Sequence, residues 1–267
     1  MFSILILTFN EEGNLPLCLD SVSWCDDVWV LDSGSTDRTL EIAKGRGCKI
    51  LSRQFDNFGD QRNYAIDHAD FKYSWVFDLD ADERFTPELQ AECEKMVQAD
   101  DKSAYYCSYK NIMWGKWLKH STGFPVYQMR FHKLGEIRFV PFGHGQKEGD
   151  SKRGVGYLKE PYLHYNFTKG FKHWFEKHIE YGYREALLRI KEDEIPVEYL
   201  GSDRVSRRRR LKRLSYHFPF RPLVNFIYAY VLHGGFLEGR AGFQYALMRA
   251  WTIFVYDSIY NDLKRRG

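Results

Sequence analysis

The stretch Trp75-Val76-Phe77-Asp78-Leu79-Asp80-Ala81-Asp82-Glu83-Arg84 sets the fold of this chain. Its apolar opening drives a strand into a core, and carboxylates then arrive at every second position. Side chains alternate faces along a strand, so Asp78, Asp80 and Asp82 are expected on one side of an extended segment. Like charges so placed repel and call for something positive between them. A hard divalent cation with oxygen ligands is the simplest partner.

Upstream, Phe2-Ser3-Ile4-Leu5-Ile6-Leu7 is nearly continuous in apolar residues, as for a parallel strand buried on both faces. It ends in the polar turn Thr8-Phe9-Asn10-Glu11-Glu12-Gly13, before a helix over 15–22. A second strand over 28–31 ends in Asp32-Ser33-Gly34-Ser35-Thr36-Asp37, and Gly47 is the expected stop of the helix over 39–46. A short strand over 49–51 follows, and Asn57-Phe58-Gly59-Asp60 then opens a helix carrying Gln61-Arg62-Asn63. This alternation predicts right-handed βαβ units and an α/β fold with a mostly parallel sheet. Such sheets bind ligands beyond the carboxyl ends of their strands, which is where Thr8, Asn10, Asp32 and Asp80 fall. Taken singly, Asn10 also suits a turn, and Asp32 or Asp37 a helix cap. Their convergence on one rim points to a ligand.

Downstream, a helix is expected over 87–97 and a strand over 104–110, followed by a loop-dense segment from 114 to 156 with short extended pieces such as 126–131. From residue 169 the pattern turns helical. The net charge of +3 divides unevenly: residues 1–100 hold 9 Lys/Arg against 20 Asp/Glu, and residues 101–267 hold 30 against 16. An acidic half suited to a metal and a basic half suited to an anionic partner fit this split. The five cysteines form no CxxC pair, which argues for reduced thiols and against a zinc site. No signal peptide and no spanning apolar stretch is recognised, so a cytoplasmic, soluble or peripheral protein is expected.

Together these motifs resemble family-2 glycosyltransferases of the GT-A fold, and among them bacterial enzymes that add a hexose to lipopolysaccharide core or lipid-linked glycans. The resemblance rests on Leu7-Thr8-Phe9-Asn10-Glu11-Glu12, Leu31-Asp32-Ser33-Gly34-Ser35-Thr36-Asp37, Gln61-Arg62-Asn63 and Leu79-Asp80-Ala81-Asp82-Glu83, and covers about the first 165 residues. Gly235-Phe236-Leu237-Glu238-Gly239-Arg240 is similar to the C-terminal region of that subgroup. The resemblance implies a GT-A catalytic domain over 1–166, with a nucleotide-sugar half (1–110) and an acceptor half (111–166), and a helical accessory region over 167–267. It implies that Thr8, Asn10 and Glu11 line the nucleoside pocket, that Asp32 accepts from the pyrimidine ring, and that Arg62 lies against base or phosphates. Asp80 would face ribose and metal, and Asp82 would hold Mg²⁺ or Mn²⁺, with Asp78 in support. The implied reaction is inverting transfer of a hexose from a UDP-sugar donor to a glycolipid or lipid-linked glycan acceptor. The base is sought in Phe142-Gly143-His144-Gly145-Gln146-Lys147-Glu148, where relatives often carry a His-Glu pair; Glu148 and His144 are the candidates. His164-Tyr165-Asn166 and the pair Lys177 and Tyr181 are secondary candidates.

Residues 203–213 pack seven Lys/Arg ahead of the apolar segments 223–232 and 243–260. The later segment places Ala246, Leu247, Ala250, Trp251, Phe254 and Val255 on one face, interrupted by Arg249 and Asp257. Basic residues beside amphipathic helices suggest contact with an anionic inner leaflet through 204–260, with packing on the core as the alternative. No nucleic-acid-binding motif is present. Rival readings are a dehalogenase-type hydrolase, whose Asp-x-Asp follows its first strand, a sugar nucleotidyltransferase, which wants a Gly-rich first loop, and a non-catalytic nucleotide-sugar-binding module.

Overall fold

The computed structural model describes residues 1–142, 145–148, 151–193, 216, 218 and 220–266, with only the backbone described at 141–142, 145–148 and 192–193. The chain divides into two compact units: residues 1–117 with 124–168, and residues 118–123 with 169–267.

In the first unit, strands β1 (Ser3–Thr8), β2 (Val28–Asp32), β3 (Lys49–Ser52) and β4 (Trp75–Asp80) run parallel in the order β3-β2-β1-β4. Between them lie helices α1 (Leu15–Ser21), α2 (Thr39–Gly45) and α3 (Phe58–His68). Both faces of β1 are covered, which explains its unbroken apolar run. Ile4 and Ile6 pack in one cluster with Leu15, Cys18 and Leu19, while Leu5 packs in another with Leu31, Ala65 and Val76. Asn57 caps α3 by accepting from the Asp60 N–H at 2.8 Å, and Gly47 follows α2 at φ 72°, so it is well suited as a stop residue.

The expectation for 78–82 is met only as far as Asp80. The Asp80 N–H donates to Glu83 Oε2 at 2.9 Å, the chain turns at Ala81–Asp82, and β5 (Glu83–Arg84) leaves on a new path. Asp82 therefore sits in a turn and does not share a strand face with Asp78 and Asp80.

After α4 (Pro87–Ala99), capped by Thr86, come β6 (Ala104–Met113), β7 (Lys116–Trp117) and β8 (Tyr127–Lys133). The segment expected to be loop-dense thus supplies a central strand. Strand β8 inserts between β4 and β6, antiparallel to both, and ends the parallel run. Strands β9 (Phe139–Phe142) and β10 (Gly145–Glu148) form a separate hairpin, and β11 (Val155–Tyr157) and β12 (Tyr162–His164) add to β6. Strand β12 also pairs with β5, which brings residues 162–165 beside the acidic turn. None of the five cysteines is paired.

The second unit contains α5 (Gly170–Asp193), α6 (Arg221–Ile227), a π-helical turn (Tyr228–Leu232), a 3-10 turn (Gly235–Glu238) and α7 (Gly239–Arg266). Helices α5 and α7 meet through Phe175 and Trp251, whose ring centroids lie 4.5 Å apart. Buried Glu238 binds segment 118–123, accepting from the His120 N–H at 2.6 Å and from the Ser121 hydroxyl at 2.5 Å. Residues 118–123 therefore belong with the helices, although the sequence groups them with the acceptor half. A Cβ at Gly242 would stand 2.0 Å from the Gly235 carbonyl oxygen, so glycine is required where the start of α7 touches the 3-10 turn. On α7, Ala246 and Ala250 are buried but Leu247 and Phe254 are exposed, so the expected single apolar face is divided. No helix among the described residues is long and apolar enough to cross a membrane.

Candidate functional site

The register of β1 with its neighbours builds the rim. Thr8 pairs with Asp32, and Leu7 with Asp80, so the three strands end side by side. Thr8 donates to Asp32 Oδ1 at 3.0 Å. Buried Asp32 also accepts from the Gly34 N–H, the Ser35 N–H and the Ser35 hydroxyl, which folds loop 32–39 back over the end of its strand. A ring N–H would have to compete with these four bonds, so Asp32 here shapes the loop.

Loops 8–14 and 32–39 are joined by further polar contacts. Asn10 adopts φ 53°, a left-handed conformation that asparagine tolerates better than most side chains. From there its N–H donates to Ser35 Oγ at 2.8 Å and its Oδ1 accepts the Thr36 N–H at 2.8 Å. The Glu11 N–H donates to Thr39 Oγ1 at 2.7 Å, and the Glu11 carboxylate accepts from Asn14. Phe9 stands 56% exposed between these contacts, an apolar plate at the rim. Gln61 extends the wall by donating to Ser33 Oγ at 2.9 Å.

A charged network supports the end of β4. Arg62, expected against a ligand, is buried instead: its Nε donates to Asp78 Oδ2 at 3.0 Å and its Nη2 lies 3.6 Å from Asp80 Oδ1. Asp78 is fully buried and also lies 3.3 Å from His132 Nε2. Arg130, from β8, donates through Nη2 to Asp80 Oδ2 at 2.9 Å and to Glu83 Oε1 at 2.6 Å. Its Nε donates to the Tyr162 hydroxyl at 3.2 Å.

These neighbours set the charges. Burial opposes ionisation of Asp80, yet Arg130 and Arg62 outweigh it and hold the carboxyl below its usual range. Burial raises the Glu83 carboxyl to about 7, with Arg130 pulling the other way. His164 from β12 places Nε2 3.4 Å from Asp82 Oδ2. Burial disfavours its imidazolium, but Asp82, Glu83 and Asp80 prevail and raise its pKa.

Three polar atoms near this turn, Asp80 Oδ1, His164 Nδ1 and Asn166 Oδ1, are buried without a hydrogen-bond partner. Buried polar groups are ordinarily satisfied, so these three are exceptions gathered around one turn. Among the described residues no group of three or more His, Cys, Asp or Glu side chains is arranged to hold a metal ion. A cation that takes most of its ligands from substrate phosphates and water needs fewer. The Asp82 carboxylate and Asp80 Oδ1, which lacks a hydrogen bond though Arg62 lies 3.6 Å away, fit that smaller requirement.

Of the other sequence candidates, Glu148 lies on β10, paired with Phe139, with its backbone alone described, and His144 lies outside the described residues. In the second unit, Lys177 places its ammonium 5.7 Å from the Tyr181 ring, one helical turn away. The basic run 203–213 lies outside the described residues. Sequence reasoning did not single out Arg130, whose signal was a cation between Met129 and Phe131 in the alternating run of β8.

Comparison with known proteins fits this geometry. The family model described as glycosyl transferase family 2 matches residues 3–151. An uncharacterized glycosyltransferase of Rickettsia bellii is 33% identical over 104 residues, 39% of this chain and 35% of that protein. The chain thus spans about a third of the length of that relative. The lipopolysaccharide core biosynthesis glycosyltransferase LpsC of Rhizobium meliloti is 22% identical over 264 residues, covering 94% of this chain and 91% of that one. Among solved structures, S. aureus TarS 1-349 in complex with UDP aligns over 100% of this chain and 92% of that one, at 17% identity and a TM-score of 0.48.

Proposed function

The chain belongs to glycosyl transferase family 2, and from that premise we propose that it transfers a hexose, with inversion, from a UDP-sugar to a hydroxyl of a membrane glycolipid such as lipopolysaccharide core or another lipid-linked glycan. The observation that carries this reading is the meeting of loops 8–14 and 32–39 with the Asp80–Asp82 turn at the carboxyl ends of adjacent parallel strands. That is where an open α/β sheet receives a nucleotide. The near full-length similarity to a protein named for lipopolysaccharide core biosynthesis supports the acceptor class.

In this reading Thr8, Asn10 and Glu11 line the nucleoside side, with Asp32 holding their loop in shape. Exposed Phe9 offers an apolar face to a planar base. Asp82 and Asp80 would hold Mg²⁺ or Mn²⁺ together with the donor diphosphate, with His164 paired to Asp82 beside them. Such an ion, when bound, neutralises charge that grows on the departing UDP. Arg130 and Arg62 keep Asp80 ionised and oriented, one guanidinium beside each carboxylate oxygen.

The acceptor oxygen forms its bond to the anomeric carbon as the bond from that carbon to the diphosphate oxygen breaks. The acceptor proton passes to a general base, the Glu148 carboxylate, with the His144 imidazole as the other candidate. The electron pair of the broken bond leaves with UDP. The net basic C-terminal region holds the enzyme at the inner face of the cytoplasmic membrane, where such acceptors are presented.

Incubating the protein with UDP-, GDP- and dTDP-hexoses, Mn²⁺ and extracted lipid-linked glycans tests the reading by mass spectrometry. A gain of one hexose on the glycan with release of UDP is expected. Binding of UDP-sugar without transfer to any glycan would reduce the protein to a nucleotide-sugar-binding module.

A further inference from the structure

The C-terminal unit carries a charged cluster that the transfer reaction does not use. Arg189 on α5 and Arg221 on α6 both donate to the same oxygen of Asp257, at 2.9 and 2.6 Å. Their guanidinium groups are therefore neighbours, and two cations share one carboxylate. Arg189 lies 3.7 Å from the ring centroids of both Tyr216 and Tyr260, and Arg221 lies 4.7 Å from the Tyr216 ring. Such stacking restrains the guanidinium planes. Arg189 Nε is buried and makes no hydrogen bond.

These groups line a cleft of about 280 Å³ whose remaining wall mixes phenylalanines with Pro222, Ser258 and Asn261. Phe218, Phe220 and Phe254 border it and are 60%, 77% and 59% exposed. Helix α6 leads away from the cleft and buries none of its residues, although Leu223, Val224, Phe226 and Ile227 are apolar. The exposed surface continues through Val231 and Leu232. Most of the large apolar side chains that stand exposed among the described residues belong to this unit.

We propose that the Arg189–Arg221 cleft seats the phosphate of an anionic membrane lipid and that the apolar face of α6 beside it enters the surrounding leaflet. This rests on the membrane reading above and names the group that the protein grips there. Paired guanidinium forks match a phosphate, which accepts several charge-assisted bonds at once. The bordering phenylalanines suit the acyl region next to such a head group. Charge favours the lipid over a second copy of the chain: residues 169–267 hold 19 Lys/Arg against 11 Asp/Glu, and two such net-basic segments would repel.

Flotation with phosphatidylcholine vesicles and with mixed phosphatidylcholine–phosphatidylglycerol vesicles provides the test. The wild type should prefer the mixed vesicles. Arg221→Gln should lower affinity for them about fivefold while leaving UDP binding unchanged. The double variant Phe220→Ser, Leu232→Ser, at exposed positions that need no packing, should weaken binding to both vesicle types. Inorganic phosphate added in solution should compete only weakly, since it lacks the apolar contacts.

An undiminished preference in Arg221→Gln overturns the phosphate assignment alone. Full competition by inorganic phosphate assigns the cleft to a soluble anion and also overturns it. No binding of the wild type to either vesicle removes the membrane reading beneath it. Concentration-dependent dimerisation that the Phe220→Ser, Leu232→Ser variant abolishes would make this face a self-interface and overturn the proposal.

Discussion

Arg130 Nη2 lies 2.9 Å from Asp80 Oδ2, fastening the last residue of β4 to the neighbouring antiparallel strand. The same nitrogen holds Glu83 at 2.6 Å, so one buried cation fixes both ends of the acidic turn. Removing it strands the fully buried Glu83 and leaves Asp80 with Arg62 alone.

Arg130→Met should therefore destabilise the first unit by about 3–5 kcal/mol, the usual cost of leaving a buried charge unpaired. The cost should depend on pH. Glu83 titrates at about 7 in the folded protein, above its ordinary value, and losing Arg130 raises it further. The variant then holds this proton more tightly when folded, so its deficit grows as pH rises. Denaturant unfolding at pH 8 and pH 5.5 checks this; an equal deficit at both would show that Glu83 is not the stranded group.

A second pH effect sits away from the site. Hydrogen bonds from Lys133 and Arg153 hold Asp100 at about 2, below its ordinary 3.8. Because the folded value is depressed, its stabilisation is present above the unfolded pKa and fades as pH falls through about 2. Asp100 ends α4 at φ 44°, a conformation that asparagine accepts, so Asp100→Asn tests the charge alone. Wild type should exceed the variant in stability above pH 5, and the gap should close towards pH 2. A gap that persists in acid would contradict the assignment.

Asn10 offers a test of the two-loop latch. Asn10→Ala loses the bond to the Thr36 N–H and sets alanine in a left-handed conformation, at a cost of about 2 kcal/mol. Asn10→Gly loses the same bond without backbone strain and should cost about half as much. Thermal melts separate the two, and equal losses would remove the backbone contribution.

The base is tested by kinetics. Glu148→Gln should keep UDP affinity while transfer falls by about 100-fold or more, the range for a lost general base. Near-normal transfer would exclude Glu148 and leave His144.

The parallel core was legible because each strand carries its own signal: unbroken apolar runs, each ending in a polar turn at 8–13 or 32–37. The rim loops followed from the same pattern. The antiparallel insertion of β8 was not legible, because pairing across a sheet leaves no local mark on either strand. Arg130 is 50 residues from Asp80 and 47 from Glu83 in sequence. His164 faces Asp82 only because β12 pairs with β5. The alternation Asp78, Asp80, Asp82 misled for the opposite reason. Period two was read past Asp80, whereas the Glu83 carboxylate captures the Asp80 N–H and turns the chain.

The central claim is that the Asp80–Asp82 turn receives a nucleotide diphosphate together with a divalent cation. Isothermal calorimetry of UDP binding with and without Mn²⁺, in wild type and Asp82→Ala, tests it most directly. UDP affinity should rise with Mn²⁺ in the wild type, and the substitution should abolish that gain. Binding that is indifferent to Mn²⁺ and unchanged in Asp82→Ala would contradict the account.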